Sequence, residues 1–315
     1  MKLHYFLYLI LIIFFAACQK TENPYVPKSV IDSLIARQNP TMKNVAFIFN
    51  NDIYFLAAFD KPVLRITSTP NSSKRFVSMS HNHTKFAYLN RNNSIVIVDN
   101  KGLQIEQLSQ YTDVKSFDWS LDDKTLYILN NNMMFYYGPS MNLPEITYPG
   151  INWGATPEVL SASVSSKGDF AYVFYAFYPF GPDYYKLVVK RADKKADVVY
   201  RDDDQNAQMA YVAFSVNEQD LLVGYKPRTT VNNKLYKLAF FTGLKNYPDG
   251  QMESTTQAYS TPKFNSSLDY MVGGYMSDSS DTLKLNAFGF GKFSGKNLRR
   301  SEFFTVGDAI YTDWK

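Results

Sequence analysis

Apolar and polar residues alternate in short blocks along most of this chain, and the blocks predict β-strands separated by turns. Segments such as 94–98 and 132–137 are rich in apolar, β-branched or aromatic residues and are bounded by Asn, Asp, Ser and Gly, which is typical of strands joined by tight turns. Residues 29–37 are the exception, since their apolar residues have helical spacing and Ser29 can act as an N-cap. We therefore expect one short helix followed by a β-rich body.

A polar turn followed by an apolar strand recurs six times. Successive copies start 40 to 50 residues apart, a period that predicts one multi-stranded unit per repeat. Four antiparallel strands would leave two apolar faces and two edges exposed, and packing such units in a ring buries the faces. The copies span residues 39–47, 80–88, 120–128, 165–172, 215–223 and 265–273.

The repeated turn and strand resemble the Ser-Pro-Asp-Gly-Lys motif of TolB-like propellers and related WD-type repeats. The resemblance covers residues 39–315, although no copy carries the full motif. It implies an all-β fold, a six-bladed β-propeller. Segment 114–120 ends in Asp118-Trp119 and segment 309–315 contains Asp313-Trp314. We therefore expect the C-terminal strand to complete the first blade and close the ring.

The N-terminus has the pattern of a secretory signal. Residues 1–17 combine Lys2, an apolar run at 6–15 and two alanines, and the run is shorter than the ~20 residues of a membrane-spanning helix. The sole cysteine follows directly as Cys18, and the segment 15–18 resembles the lipobox of bacterial lipoproteins. The resemblance implies that Cys18 is acylated, including by palmitate, and anchors the protein in a lipid bilayer. An ordinary signal with an incidental thiol is the alternative.

Residues 18–38 form the predicted tether and short helix. Segment 19–22, Gln-Lys-Thr-Glu, resembles the export signal that sends some Bacteroidetes lipoproteins to the cell surface, and a plain polar tether is the alternative. We expect a lipid-anchored protein of the bacterial outer membrane, facing the periplasm or the cell surface.

Composition excludes several classes of function. A net charge of +4 in 315 residues is too small to indicate nucleic-acid binding. One Cys and three His leave little for a metal site, and we predict no cofactor. His81 and His83 lie in one turn, which we interpret as solvent-exposed rather than as a metal pair. Asp202–Asp204 is interpreted as a solvated loop rather than a Ca²⁺ site.

The later repeats have longer, aromatic loops where the first three have short ones. Long loops on a rigid scaffold are where binding residues concentrate, and aromatic side chains suit sugar or peptide contacts. Segment 176–185 is predicted to be such a loop. The alternative is that its rings only pack on each other. The candidate ligand-binding residues are Trp153, Phe177, Tyr178, Tyr184, Tyr185 and Arg228.

Two functions agree with this pattern. The first is a non-catalytic binding or scaffold propeller that interacts with an envelope protein or a glycan. The second is an envelope lyase or hydrolase with acids and tyrosines in the propeller funnel. No Gly-x-Ser-x-Gly segment or phosphate-binding glycine loop occurs, and we favour the binding propeller.

Overall fold

The computed structural model describes the chain from Lys43 to Lys315 with several gaps. Its strands are joined mainly by turns, and the helical element in the described residues is a 3₁₀ turn, Thr242–Leu244. No helix in this part of the chain is long and apolar enough to cross a membrane. The predicted signal, tether and short helix lie outside it. The described residues are 43–58, 61–111, 113–131, 133–139, 146–148, 156–165, 167–179, 184–191, 196–202, 207–227, 237–244, 250–252, 257–259, 263–264, 270–277, 284–294, 299–307 and 309–315.

The first sheet contains the earliest and the last strands of the described chain. Its members are β1 (Val45–Phe49), β2 (Asp52–Leu56), β3 (Leu64–Arg65) and β24 (Ala309–Trp314), in the order β24–β1–β2–β3. All pairings are antiparallel. Every residue of β1 and β2 is buried, because both faces of the sheet are covered, and strands covered on both faces tend to have continuous apolar sequences.

Five further antiparallel sheets follow in chain order. The second contains β4 (Lys74–Met79), β5 (Lys85–Asn90), β6 (Ile95–Asp99) and β7 (Gln104–Leu108). The third contains β8 (Val114–Trp119), β9 (Leu126–Asn130) and β10 (Met133–Tyr137). The fourth contains β11 (Thr156–Val164), β12 (Phe170–Phe177), β13 (Tyr184–Lys190) and β14 (Ala196–Asp202). The fifth contains β15 (Ala207–Phe214), β16 (Leu221–Pro227), β17 (Lys237–Phe241) and β18 (Gly250–Met252), and the sixth β19 (Gln257–Tyr259), β20 (Lys263–Phe264), β21 (Tyr270–Ser277), β22 (Lys284–Ser294) and β23 (Arg299–Gly307).

The sheets contact one another in sequence, mainly through their first strands. Strand β24 contacts β4, β4 contacts β8, β8 contacts β11, and β11 contacts β15. The fifth and sixth sheets meet where the amide of Val216 donates to the carbonyl of Phe264 (2.9 Å) and the Phe240 ring packs edge-on against Phe264. Strands β21 and β22 then contact β24. The contacts thus return to the first sheet, and the predicted all-β propeller fold is confirmed.

The described core lies between neighbouring sheets. One apolar cluster joins the first and second sheets around Ile48 and Phe86, and another joins the second and third around Ile97 and Ile128. Further clusters join the third to the fourth sheet and the fourth to the fifth. Phe86 is fully buried, and burial of such a side chain stabilises the fold by about 1.5–3 kcal/mol. The inter-sheet spaces therefore replace a single central core.

The repeated polar turn joins the first and second strands of sheets two to five. In the copy that begins at Ser120, the hydroxyl accepts a hydrogen bond from the amide of Thr125 (3.0 Å) and donates one to Asp122 (2.7 Å). The fourth residue of each turn has a left-handed backbone, which favours Gly, Asn and Asp. The four residues at this position are His83 (φ 59°), Asp123 (φ 56°), Gly168 (φ 83°) and Glu218 (φ 59°). The repeated polar turn in the sequence therefore reflects a turn conformation that the four sheets share.

Candidate functional site

The predicted aromatic loop is shorter than the sequence indicates. Phe177 is the last residue of β12, and Tyr184 and Tyr185 are the first residues of β13. Tyr184 stands opposite Ala176, and Tyr185 opposite Tyr175, in the β12–β13 ladder. The strands extend into the expected loop because this register continues their pairing. Trp153 and Arg228, like the lipidation candidate Cys18, lie outside the described residues.

The described candidates differ in exposure. Phe177 is 47% exposed, whereas Tyr184 and Tyr185 are 7% and 6% exposed. Tyr178 is half-buried and packs against the cluster between the third and fourth sheets. Among these four rings, Phe177 offers the largest exposed fraction to a ligand.

Tyr178 and Tyr184 form a pair at the start of the β12–β13 connection. Their hydroxyl oxygens are 2.7 Å apart and their ring centroids 5.3 Å apart. The Lys186 ammonium lies 4.8 Å from the centroid of Tyr184, in cation–π geometry. Tyr185 packs on Tyr175 with centroids 5.0 Å apart and belongs to the core between the fourth and fifth sheets. These contacts support the packing alternative for Tyr184 and Tyr185, and the ligand-binding role of the set stays a prediction.

A second group of functional candidates comes mainly from the first strands of the sheets, with one lysine in β20 and one directly after β24. We call it the axial cluster. Two carboxylates and two ammonium groups alternate in it, together with a serine and a tyrosine, and the members come from sheets one, two, three, five and six. The axial cluster consists of Ser78, Asp118, Tyr211, Lys263, Asp313 and Lys315.

Ion pairs connect the axial cluster across the sheets. The Lys263 ammonium is 2.5 Å from Asp313 Oδ1, and the Lys315 ammonium is 2.7 Å from Asp118 Oδ1. Asp313 Oδ2 also accepts the amide hydrogen of Met79 (2.8 Å) and lies 3.9 Å from Lys315. Ser78 donates its hydroxyl hydrogen to Asp118 (2.8 Å). Both carboxylates are thereby bound to cations from other sheets or from the end of β24.

The environment of the axial cluster shifts the pKa values of Asp118, Lys263 and Tyr211 away from neutral pH. Burial alone would raise the pKa of Asp118, but Lys315, Lys263 and the hydrogen bond from Ser78 outweigh burial and hold that pKa well below its usual value. Burial would lower the pKa of Lys263, and the carboxylates of Asp313 and Asp118 raise it instead. Burial, with the same two carboxylates, raises the pKa of Tyr211. At neutral pH the cluster therefore holds ionised Asp118, ammonium Lys263 and neutral Tyr211.

Another buried cation links the first and second sheets at the opposite ends of their strands. The Lys74 ammonium donates to the carbonyl oxygens of Asn51 (2.5 Å), Thr69 (3.0 Å) and Ser72 (3.0 Å), and lies 3.3 Å from Asp52 Oδ1. Burial lowers the pKa of Lys74, against the opposing effect of Asp52. These four oxygens surround the ammonium group, so Lys74 holds the first and second sheets together.

The turn of His81 and His83, interpreted from the sequence as solvent-exposed, is exposed only in part: Asn82 and Thr84 are exposed, whereas both histidines are half-buried. The His81 side chain is 21% exposed, with Nδ1 at 3.3 Å from Asp123 and Nε2 at 3.8 Å from Glu218. His83 stacks on Phe55 with centroids 5.5 Å apart, and burial lowers its pKa. The turns of different sheets meet here, which a single-strand pattern does not reveal. In the part of the chain that the structure describes, no group of three or more His, Cys, Asp or Glu side chains is arranged to hold a metal ion.

Sequence reasoning missed the axial cluster, although a signal for it was present. Asp118-Trp119 and Asp313-Trp314 occupy matching ends of β8 and β24. Both tryptophans are buried, and the Trp119 indole donates to the carbonyl of Ser78 (3.2 Å). The repeated Asp-Trp pair thus marks the two carboxylates of the axial cluster. Their lysine partners lie in β20 and after β24, and no local pattern identifies them.

Comparisons with known proteins show likeness in fold alone. No protein-family model matches the chain, and no curated protein matches it. A structure of a nidogen/laminin complex has a chain with a TM-score of 0.55 and 7% identity, covering 85% of this chain and 97% of that chain. A chain of the mitotic checkpoint complex has a TM-score of 0.49 and 12% identity, with 83% and 80% covered. The C-terminal WD40 domain of Sif2 has a TM-score of 0.40 and 10% identity, with 87% and 84% covered. The likeness to the chain of the nidogen/laminin complex, the one of the three with a TM-score above 0.5, concerns the propeller fold alone.

Proposed function

We propose that this chain is a non-catalytic binding or scaffold propeller of the bacterial cell envelope, anchored in the outer membrane through acylated Cys18. The observation that carries the proposal is the mutual neutralisation of the axial cluster. Its ionisable groups are matched in charge and bonded to one another across the sheets. Such groups hold a ring together, and they leave recognition to the surface.

The proposed partner is an envelope protein or a glycan. Phe177 supplies exposed aromatic surface beside the Tyr178–Tyr184 pair, and aromatic rings of this kind suit sugar faces and apolar peptide side chains. Trp153 and Arg228 belong to the proposed site on the strength of the sequence. The similar chain in the nidogen/laminin complex comes from a protein–protein complex, which supports a protein partner.

An envelope lyase or hydrolase is the second candidate. The convergence of two acids, two lysines and a tyrosine on inner strands favours it. General acid–base catalysis works best with a pKa near the working pH. The pKa shifts of Asp118, Lys263 and Tyr211 all lead away from that range, so the binding propeller is the better proposal.

The anchor is tested by Cys18→Ser. Labelled palmitate should enter the wild type and not the variant, and the variant should no longer partition with the acylated protein into the detergent phase. A serine variant that takes up label and partitions like the wild type would show that Cys18 is not the lipidated residue.

Ring closure is tested by truncation. We propose that the six sheets are the blades of one closed ring, since β24 pairs with β1 and also contacts the second and sixth sheets. A chain ending at Asp308 would lose β24 together with Asp313 and Lys315, and would expose an edge of β1. We expect a large fall in melting temperature and aggregation. A truncated chain with the parent's melting temperature would contradict closure.

The ligand site is tested by substitution and binding to glycan and envelope-protein arrays. Phe177→Ala should weaken binding with little change in melting temperature, because much of that ring is exposed. Leu103→Ala is the matched control, since Leu103 is 71% exposed at the other end of the strands. Trp153→Ala should also weaken binding, whereas Tyr184→Ala should mainly lower stability. If Phe177→Ala and Trp153→Ala both bind every array hit like the wild type, the site is elsewhere.

A further inference from the structure

Large exposed apolar side chains are concentrated at one end of the first three sheets. Six such side chains occur among the described residues. Four of them lie in or beside connections at the end where β24, β4 and β8 finish: Leu64 (46% exposed), Leu103 (71%), Ile105 (49%) and Leu121 (57%). We call this the exit end.

The exit end is defined by contacts between the last residues of inner strands. Asp313 and Lys315, at the end of β24, bind the amide of Met79 at the end of β4 and the carboxylate of Asp118 near the end of β8. Since consecutive strands are antiparallel, every second connection lies at the same end. The exit end therefore carries the connections β2–β3, β4–β5, β6–β7 and β8–β9, and the residues that lead into β1.

Lysines occupy the same connections as the exposed leucines. Lys43, Lys61 and Lys101 are exposed, and the Lys124 side chain is 70% exposed. Lys43 precedes β1, Lys61 precedes Leu64, Lys101 precedes Leu103, and Lys124 follows Leu121 in its turn. Aliphatic side chains interleaved with lysines are typical of surfaces that bind the headgroup region of anionic bilayers.

Acidic side chains of these connections are engaged with the protein itself. The Asp99 carboxylate accepts the amide hydrogens of Lys101 and Leu103, both at 2.8 Å. The Asp123 carboxylate accepts those of His81 (2.6 Å) and Asn82 (2.8 Å). Asp122 remains 53% exposed beside Lys124. The described lysines of these connections are exposed, whereas Asp99 is half-buried and Asp123 is buried, so the exposed charge of these residues is mainly positive.

The chain before β1 also leads away from the exit end. Lys43 is the first described residue, and the amide of Lys315 donates to the carbonyl of Asn44 (3.2 Å), which places the start of β1 beside the end of β24. Residues 18–42 connect this point to Cys18. The tether and the leucine–lysine surface thus belong to one end of the body.

We propose that the exit end of sheets one to three docks on the bilayer in which Cys18 is anchored, with Leu103 and Leu121 entering the headgroup region of anionic lipid. The inference rests on the proposed lipid anchor, which supplies the high local concentration of bilayer. Docking directs the opposite end of the strands, with Met133 and Phe177, away from the membrane. The proposed ligand site would then face the aqueous side.

The test uses single-cysteine reporters in the acylated protein. Cys18 is the only cysteine and acylation occupies its thiol, so Leu103→Cys or Leu121→Cys can be labelled alone with an environment-sensitive fluorophore. Met133→Cys is the matched control, since Met133 is 60% exposed at the opposite end. In vesicles of phosphatidylglycerol and phosphatidylethanolamine, lipid-borne quenchers should quench the labels at 103 and 121 and spare the label at 133. Equal quenching at all three positions would overturn the proposal.

The lysines provide a second arm. Each lysine near an anionic surface contributes roughly a five-fold factor in binding, so Lys61→Gln with Lys101→Gln should lower the ratio of docked to undocked protein about 25-fold. Salt, or replacement of phosphatidylglycerol by phosphatidylcholine, should act in the same direction. Quenching that is unchanged by the glutamine substitutions, by salt and by phosphatidylcholine would contradict the charge argument. Melting temperatures of the labelled and glutamine variants confirm that they are folded.

The outcomes separate the docking proposal from the anchor. If the wild type fails to partition into vesicles at all, the lipid anchor is wrong. If it partitions but the label at 103 stays accessible to aqueous quenchers, the anchor holds and docking is wrong. If that label is protected in cell envelopes but not in pure lipid vesicles, the exit end binds a protein instead, and the bilayer proposal is rejected.

Discussion

Asp313→Asn should strongly destabilise the protein, because it removes one carboxylate from the axial cluster. The Asp313 side chain is 4% exposed and its partner Lys263 is 13% exposed. Loss of one partner from a buried ion pair costs about 3–5 kcal/mol, since the remaining charge is left uncompensated. The asparagine can still accept the amide hydrogen that Met79 donates, so the charge is the main change. We expect a fall of about 3–5 kcal/mol in the free energy of unfolding.

An exposed ion pair provides the matched control. Lys115 and Glu158 are 2.8 Å apart, with side chains 24% and 49% exposed, and such pairs contribute roughly 0.2–1 kcal/mol. Glu158→Gln should therefore have a small effect. Asp313→Asn combined with Lys263→Met removes both charges of one pair and should cost less than Asp313→Asn alone. Urea unfolding of the Cys18→Ser protein, followed by tryptophan fluorescence and far-ultraviolet circular dichroism, measures all four proteins. Equal costs for Asp313→Asn and Glu158→Gln, or additive costs in the double variant, would refute the reasoning.

The same cluster predicts how its stabilisation depends on pH. The pKa of Asp118 is lowered in the folded state, so its contribution is present above the unfolded value of about 3.9 and is lost as the pH falls below it. The pKa of Lys263 is raised, so its contribution is complete below about 10.4 and is lost as the pH rises through the folded value. The contribution of these two groups to unfolding free energy should be constant between about pH 5 and pH 10. A steep change near pH 7 that disappears in Asp118→Asn would contradict this.

Three further predictions concern residues in the turns. Gly102→Ala should lower the melting temperature far more than Gly243→Ala. Both glycines have left-handed backbones, but a Cβ at Gly102 would lie 2.0 Å from a carbonyl oxygen, whereas a Cβ at Gly243 would have nothing within 4 Å. Equal effects would show that the cost of the backbone conformation, about 1–2 kcal/mol, explains both. Ser120→Ala should cost about 1–3 kcal/mol in urea unfolding, because the hydroxyl accepts a buried amide hydrogen, and an unchanged midpoint would argue against that turn bond. Burial lowers the pKa of His83, so the free energy of unfolding should fall as the pH drops below about 6.5. His83→Asn should reduce that loss of stability. An identical pH profile in the variant would exclude His83 as the source of the loss.

The sequence by itself determined the repeat and therefore the class of fold. Each copy places a polar turn before a buried strand, and the hydrogen bonds that the Ser120 hydroxyl makes in its turn lie within six residues. Interactions between residues so close in the chain are visible in the sequence pattern. The Asp-Trp pair shared by β8 and β24 also indicated that the C-terminal strand belongs with the first sheet, and β24 does pair with β1.

Tertiary structure alone decided which side chains of different sheets meet in the axial cluster. Asp313 binds the amide of Met79 from 234 residues away, and its charge is balanced by Lys263 of another sheet. No periodicity within a strand encodes such partners, because they lie on different sheets that are far apart in the sequence. The strand pairing of Tyr184 and Tyr185 was hidden for a related reason. Prolines within segment 176–185 suggested a long loop, but the ladder between β12 and β13 continues to the pair Ala176–Tyr184, because cross-strand pairing, not local sequence, sets where a strand ends.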